Sequence, residues 1–248
     1  MRGIGKFTWA ALLLAAAAAR GQQGGDLQAQ ILYAYQTEDA NSLANLTQDL
    51  STRVKADSDD LSLRYHLAHA QYRRGLLADA RHAREAEPAY ADCVDELKPL
   101  VSQDVKSVEA LVLQSACYAG LADHRQLQAV LLRSRAQERL DAALKLAPRN
   151  PRALFLSSME GLRQAKPGSA PQQHALAQLQ LAAQLFDATS ATSIDTPGLG
   201  HAEAYLALGS ELQARGDQLG ARNWIEKSLI AAPDFKAAQR QLALLIRH

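Results

Sequence analysis

The 248-residue chain is rich in alanine and leucine, 5% of its residues are aromatic, and its formal net charge is +1. A chain so close to neutral has no net field that would steer it to nucleic acid or acidic lipid, which excludes both as main partners. Valine and isoleucine are sparse and no segment alternates apolar with polar residues, so we expect an all-α fold without a sheet.

The first residues have the pattern of a secretory signal peptide. Arg2 and Lys6 precede an uncharged, apolar stretch over 7–19 that ends in three alanines. This stretch is shorter than the roughly 20 residues that cross a bilayer, so we predict cleavage at its end; an uncleaved anchor is the alternative. The composition is typical of bacteria. The sequence therefore predicts a signal peptide over 1–19, a flexible start over 20–25, and a soluble periplasmic protein that does not insert into the membrane after cleavage.

From residue 26 onward, apolar residues recur every three or four positions, which predicts amphipathic helices along the rest of the chain. The predicted helices, in chain order, begin with one near Asp26 and continue over 39–54, 61–74, 89–101, 108–119, 124–146, 151–163, 172–187, two within 202–235, and 236–246. Enlarged turns are predicted at 75–88 and at the Ser/Thr/Gly/Pro-rich connector 189–200. Pro99 is expected to interrupt the last turn of its helix.

The segment 202–235 carries the strongest pattern in the chain. Counted from Ala202 as position 1, its pattern residues are Tyr205 (4), Leu208 (7), Gly209 (8), Leu212 (11), Ala221 (20), Ile225 (24), Ser228 (27) and Pro233 (32). This alternation of large and small residues resembles the tetratricopeptide repeat, a helix–turn–helix unit of about 34 residues. Residues 136–148 repeat the second half of the pattern.

The resemblance covers most of residues 26–248 and implies a single α-solenoid. We expect about four antiparallel helix pairs, several with enlarged turns, and a capping helix over 236–246 that covers the last open face. Arrays of this kind hold other molecules on a concave surface and seldom contain a reaction centre.

In such arrays the first helix of each pair lines the concave groove. Carried by repeat position onto 61–74 and 151–163, the resemblance implies partner-binding residues at Tyr65, His66, His69, Tyr72, Arg73, Arg152, Phe155 and Met159. Tyrosine and arginine are enriched at interface hot spots, and the apolar members of the set could hold an apolar stretch of peptide. The alternative is that these side chains pack in the interior of the array.

Cys93 and Cys117 are predicted at the same height on two neighbouring helices. The helices that end near Val101 and begin near Val108 should pack antiparallel around a turn centred at Val105, equally far from both cysteines. A disulfide there would stabilise the fold by about 3 kcal/mol in the loop-entropy model. The alternative is a pair of buried free thiols. Redox catalysis is not expected, because the chain has no Cys-x-x-Cys motif.

No motif for catalysis, cofactor binding or metal binding stands out. His66 and His69 have a spacing that suits two metal ligands, but no third ligand completes the set, so no metal site is predicted. The leading hypothesis is a non-enzymatic protein that binds a protein or peptide segment. The alternative is a small-molecule carrier with 124–146 as a covering helix, and the two differ in whether Phe155, Leu156, Met159 and Leu162 line an open groove or an enclosed cavity.

Overall fold

The computed structural model describes residues 26–102, 107–190 and 200–246, and within these ranges the chain forms eleven α-helices. In chain order they are α1 (26–36), α2 (Ala40–Ala56), α3 (Leu61–Ala80), α4 (Ala86–Glu96), α5 (Val108–His124), α6 (Ala129–Leu146), α7 (Pro151–Gln164), α8 (Ala170–Ser190), α9 (His201–Ala214), α10 (Gln218–Ala231) and α11 (Lys236–Ile246). The predicted signal peptide, the predicted flexible start and most of the 189–200 connector lie outside the described residues. Within the ranges given, none of the helices combines the length and hydropathy that a membrane crossing requires.

Short polar side chains fix where several helices begin. In each case a side-chain oxygen accepts a hydrogen bond from a backbone N–H in the first helical turn, and the residues concerned are Asp39, Asp60, Ser107, Asn150 and Asp217. Asn150 caps α7 twice, and the proline that follows it stands where its missing N–H costs nothing. These caps set the turns, and the turns set the pairing of the helices.

Successive helices pack as antiparallel pairs joined by short turns. The pairs are α1 with α2, α3 with α4, α5 with α6, α7 with α8 and α9 with α10, and α11 packs on α10. The described residues therefore contain five pairs and a final helix, where the sequence predicted about four pairs. The largest core lies between α3, α4, α5 and α6, and α5 is buried on nearly all sides because both neighbouring pairs pack on it.

The sequence-based boundaries were wrong at α3. That helix does not end before Gly75 but continues to Ala80, and the turn that follows is short, with His82 at a φ of +52°. Gly75 lies in the helix because the ring of Tyr90 packs against it: a Cβ at position 75 would come within 2.5 Å of the Tyr90 Cε1 atom. Gly120 on α5 is also close to this ring, since a Cβ at position 120 would come within 2.7 Å of the same atom.

Two further boundaries differ from the prediction. The predicted helix over 124–146 is shorter, because α5 continues to His124 and a 3-10 turn over Gln126–Gln128 precedes α6. The interruption expected near Pro99 is present, since α4 ends at Glu96 and Pro99–Val101 forms a separate 3-10 turn.

The two ends of the array meet. The rings of Tyr35, at the end of α1, and Phe235, just before α11, have their centroids 6.1 Å apart. Glu38 Oε1 accepts a hydrogen bond from Arg240 Nη2 at 2.6 Å, across 202 positions of sequence. The curvature of the array is therefore tight enough to bring its first and last helix pairs into contact, which leaves little room along its axis.

Candidate functional site

A groove of about 580 Å³ lies between α3, α5, α6 and α7. Its floor is apolar and is lined by Leu76, Ala119, Leu140, Leu156, Met159 and Leu162. Met159 is 38% exposed, so the groove opens to solvent at α7. A trough of this size with an apolar floor suits side chains of a bound molecule.

Tyr90 forms one end of the groove. Its ring is wedged between Gly75 and Gly120, and its hydroxyl donates a hydrogen bond to Asp79 Oδ2 at 2.6 Å. Burial, followed by the hydrogen bond to Asp79, raises the pKa of the Tyr90 hydroxyl far above its ordinary value, so it stays a donor. The other Asp79 oxygen lies 2.7 Å from His124 Nε2. This end is a rigid cluster of hydrogen-bonded polar groups.

Charged side chains surround the apolar floor. Arg133 Nη2 donates to Asp123 Oδ1 at 2.6 Å, and Arg163 Nε donates to Glu160 Oε2 at 2.8 Å. The hydrogen bond from Arg163 lowers the pKa of Glu160, which therefore stays ionised. Glu211 on α9 is half-buried and has no hydrogen bond or ion pair among the described residues. Both arginines are thus already neutralised, whereas the carboxylate of Glu211 is not.

A second polar region lies along the axis of the array and is closed to solvent. Arg73 is 1% exposed and its Nη1 lies 2.6 Å from Glu203 Oε1 of α9. Its guanidinium carbon lies 4.2 Å from the centroid of the Tyr35 ring, and its Nε donates to His69 Nε2 at 3.2 Å. Arg73 therefore ties α3 to both α1 and α9.

Arg152 has a similar position on α7. Its Nη1 lies 3.3 Å from Glu109 Oε1 of α5, and its guanidinium carbon lies 5.8 Å from the centroid of the Phe186 ring. Asn150 also donates to Glu109, at 2.8 Å. Burial, and after it the charge of Glu109, raises the pKa of the nearby Tyr65 hydroxyl, which stays protonated.

No protein-family model matches the sequence, and no curated protein matches it. Among solved structures, a thermophilic TPR protein of Thermus thermophilus is similar in fold, with a TM-score of 0.63 and 18% sequence identity. The similarity covers 92% of this chain and 100% of that one. The chain has a tetratricopeptide-repeat (TPR) fold.

Four of the residues predicted to contact a partner are instead interior residues of the TPR array. His66, His69, Arg73 and Arg152 are each 7% exposed or less. Their burial corrects the prediction that they bind a partner directly, and the physical reason is that neighbouring helices cover them. Around Arg73 these helices are α1 and α9, and around Arg152 they are α5 and α8.

The other four predicted residues divide evenly. Tyr72 and Met159 line the groove. Tyr65 packs against the main core, and Phe155 packs against the cluster that joins α8 to α9. Neither of these two lines the groove, so the structure brings only part of the predicted set together.

Several groove residues were missed by the sequence-based prediction. Leu76 and Asp79 lie four and seven positions after Tyr72, on the same face of α3, and were missed because the helix was ended too early. Leu140 and Arg133 come from α6, the second helix of its pair, which repeat position does not assign to a groove. Among these residues, Leu76 and Asp79 could have been predicted from the sequence, by their spacing from Tyr72.

Cys93 and Cys117 form a disulfide between α4 and α5, with Cα atoms 6.2 Å apart. Both residues are fully buried. In the described part of the chain, no three histidine, cysteine or acidic side chains come together as candidate metal ligands. His69 Nε2 instead accepts the hydrogen bond from Arg73.

Proposed function

We propose that this protein is a non-enzymatic interaction module of the bacterial periplasm that holds a peptide segment, or an extended part of a partner protein, in the groove. The observation that carries the proposal is the groove itself: an apolar trough of about 580 Å³ whose polar rim is already organised by hydrogen bonds. A preorganised rim lowers the cost of ordering side chains when a ligand binds. The TPR fold supports the same kind of function.

The location in the periplasm is supported by two observations. The sequence over 1–19 has the order of a secretory signal peptide, basic then apolar then small. The Cys93–Cys117 disulfide is consistent with the same location, because disulfides persist in oxidising compartments such as the periplasm.

The proposal places the expected binding energy away from the polar axis. In the sequence-based hypothesis the anchors of the partner were Tyr65, His66, Tyr72, Arg73 and Arg152, but all of these except Tyr72 are buried or packed inside the protein. Tyr72 and Met159, with the neighbouring floor residues Leu156 and Leu162, take that role in the proposal. Met159 is exposed and the other three side chains are half-buried, so an occupant of the groove would cover apolar surface on all four.

The proposal is tested by capture from periplasmic extract with the wild-type protein and two variants. Met159→Glu places a charge at the mouth of the groove, and Leu219→Glu makes the same change at an apolar residue of α10 that is 73% exposed and lies outside the groove. We expect the wild type and Leu219→Glu to recover the same one or two proteins by mass spectrometry, and Met159→Glu to lose them. Identical recovery by all three would place the binding surface elsewhere and contradict the proposal.

A small-molecule carrier is the second candidate, and the size of the groove favours it. Sites for small molecules commonly enclose about 300–1,000 Å³, and this groove falls within that range. Against it, the predicted covering helix is part of the wall, since α6 lines the groove and does not close it. Native mass spectrometry of the protein purified from periplasm separates the two, because a carrier retains a bound small molecule that Met159→Glu releases.

A further inference from the structure

We infer that the groove selects a segment that joins apolar side chains to a lysine or arginine, with the cation placed against Glu211. The inference rests on the proposed function and names the chemistry of the partner for the same groove. It rests on the charged side chains around the apolar floor, where the acidic groups outnumber the basic ones.

The rim of the groove carries more acid than base. Among the described lining residues, the acidic side chains are Asp79, Asp123, Glu160 and Glu211, and the basic ones are Arg133 and Arg163. Each arginine already donates to one of these acids, at 2.6 Å and 2.8 Å. The rim therefore offers an incoming segment negative charge and no free cation in the part of the chain that is described.

Glu211 differs from the other acids of the rim. Asp79 accepts from the Tyr90 hydroxyl and lies beside His124, and two other acids are held by the arginines. Glu211 has no such partner among the described residues, and it is half-buried at the α9 side of the groove. An occupant that covers this carboxylate removes water from it, which costs free energy unless the occupant brings a compensating positive charge.

The floor sets the second requirement. It has small residues on α5, where Ala116 and Ala119 line the groove, and large apolar residues on α6 and α7. A purely basic segment leaves this apolar floor in contact with water, and an acidic one is repelled by the rim. A segment that pairs apolar side chains with a cation satisfies both, and the penalty on acidic segments supplies specificity.

The test is a selection of random-sequence peptides displayed on phage, made on the full wild-type protein. Peptides that are enriched are then synthesised with blocked ends, and their affinities are measured by fluorescence anisotropy. Glu211→Gln removes the charge at constant shape, and Glu138→Gln is the matched control, because Glu138 is exposed on α6 and does not line the groove. Met159→Arg places a cation at the mouth of the groove, where it repels a basic segment, and so reports whether binding takes place in the groove.

We expect the enriched peptides to combine apolar residues with lysine or arginine. Glu211→Gln should weaken their binding by roughly three- to tenfold, which lies within the usual range for the net contribution of one hydrogen bond, while Glu138→Gln leaves it unchanged. Replacing the basic residue of the peptide by glutamine should weaken binding to the wild type and have little further effect on Glu211→Gln.

The two proposals fail in different ways. Peptides that bind, lose binding with Met159→Arg, and show no preference for basic residues would overturn the charge inference and leave the proposed function standing. Peptides whose binding survives Met159→Arg, or no enrichment at all by a folded protein, would overturn both.

Discussion

His69 and Arg73 lie one helical turn apart on α3, and both are almost completely removed from solvent. Burial, and after it the charges of Arg73, His66 and Arg152, lowers the pKa of the His69 imidazole well below its ordinary value. Its neutral Nε2 accepts the hydrogen bond from Arg73. Protonation of His69 would therefore remove an acceptor and place a second cation beside a buried guanidinium.

This arrangement predicts how stability depends on pH. Because the pKa of His69 is lower in the folded state than its unfolded value near 6.5, the unfolded protein binds more protons below that pH. The free energy of unfolding should then fall as the pH drops from 7 to 5, by up to about 1.4 kcal/mol per pH unit for this group. The measurement is urea denaturation at a series of pH values.

Variants isolate the contribution of His69. His69→Gln keeps an acceptor for Arg73 and removes the titration, so its stability should fall less steeply with acid than that of the wild type. His174→Gln, which changes an exposed imidazole on α8, serves as the control. A His69→Gln protein with the wild-type slope would show that another group governs the acid sensitivity.

At the scale of helices, the Cys93–Cys117 disulfide joins α4 to α5, which belong to successive pairs. It therefore strengthens the contact between two repeats and not the contact within one. In the loop-entropy model, a bridge across 24 positions stabilises the folded state by about 3 kcal/mol.

We predict that reduction lowers the denaturant midpoint of the wild type, with a loss of up to about 3 kcal/mol in the free energy of unfolding. The double variant Cys93→Ala with Cys117→Ala should have nearly the stability of the reduced protein and should not respond to reductant. The free energy of unfolding of each protein is measured by chemical denaturation with and without reductant. A wild type whose stability is the same in both conditions would mean that the bridge contributes no net stability.

The helices differ in how well their sequence predicts them. The start of α7 was predicted closely, because Asn150 and Pro151 are local signals whose meaning does not depend on the rest of the chain. The end of α3 was not, because Gly75 reads as a helix terminator when considered locally. Its actual role is to make room for Tyr90, fifteen positions further along, and no local pattern shows that contact.

At the scale of the whole molecule, the end-to-end contact departs from the behaviour expected of a simple repeat array. In an open array each repeat touches only its neighbours, so damage at one end leaves the other unaffected. Here Phe235 packs in the C-terminal cluster together with Tyr35 from α1. The first and last pairs should therefore lose stability together.

Phe235→Ala truncates a buried aromatic residue and should lower the free energy of unfolding by about 3–5 kcal/mol. We predict that it increases hydrogen exchange in α1 as well as in α10 and α11. The measurement is native-state hydrogen exchange with peptide-level mass spectrometry. Ile225→Ala is the control, because Ile225 is fully buried in the same cluster but packs against Gly209 within its own helix pair. Unchanged protection of 26–36 in Phe235→Ala would mean that the contact between the ends is too weak to couple them.

The same contact explains why the fold was predicted better than the site. Periodicity shows which face of a helix points inward, and that information is enough for an all-α array of pairs. It does not show how tightly the array curves. The partner of Arg73 is Glu203, far away in sequence, so the closure that buries Arg73 becomes visible only in three dimensions.

The meeting of the two ends also sets how the molecule responds to force. An open array can lengthen like a spring, because each repeat rotates slightly against the next. Here, drawing the ends apart must first break the Glu38–Arg240 pair and the Tyr35–Phe235 packing, before any such rotation begins. We therefore expect the protein to resist small extensions and then to lengthen abruptly once those contacts rupture.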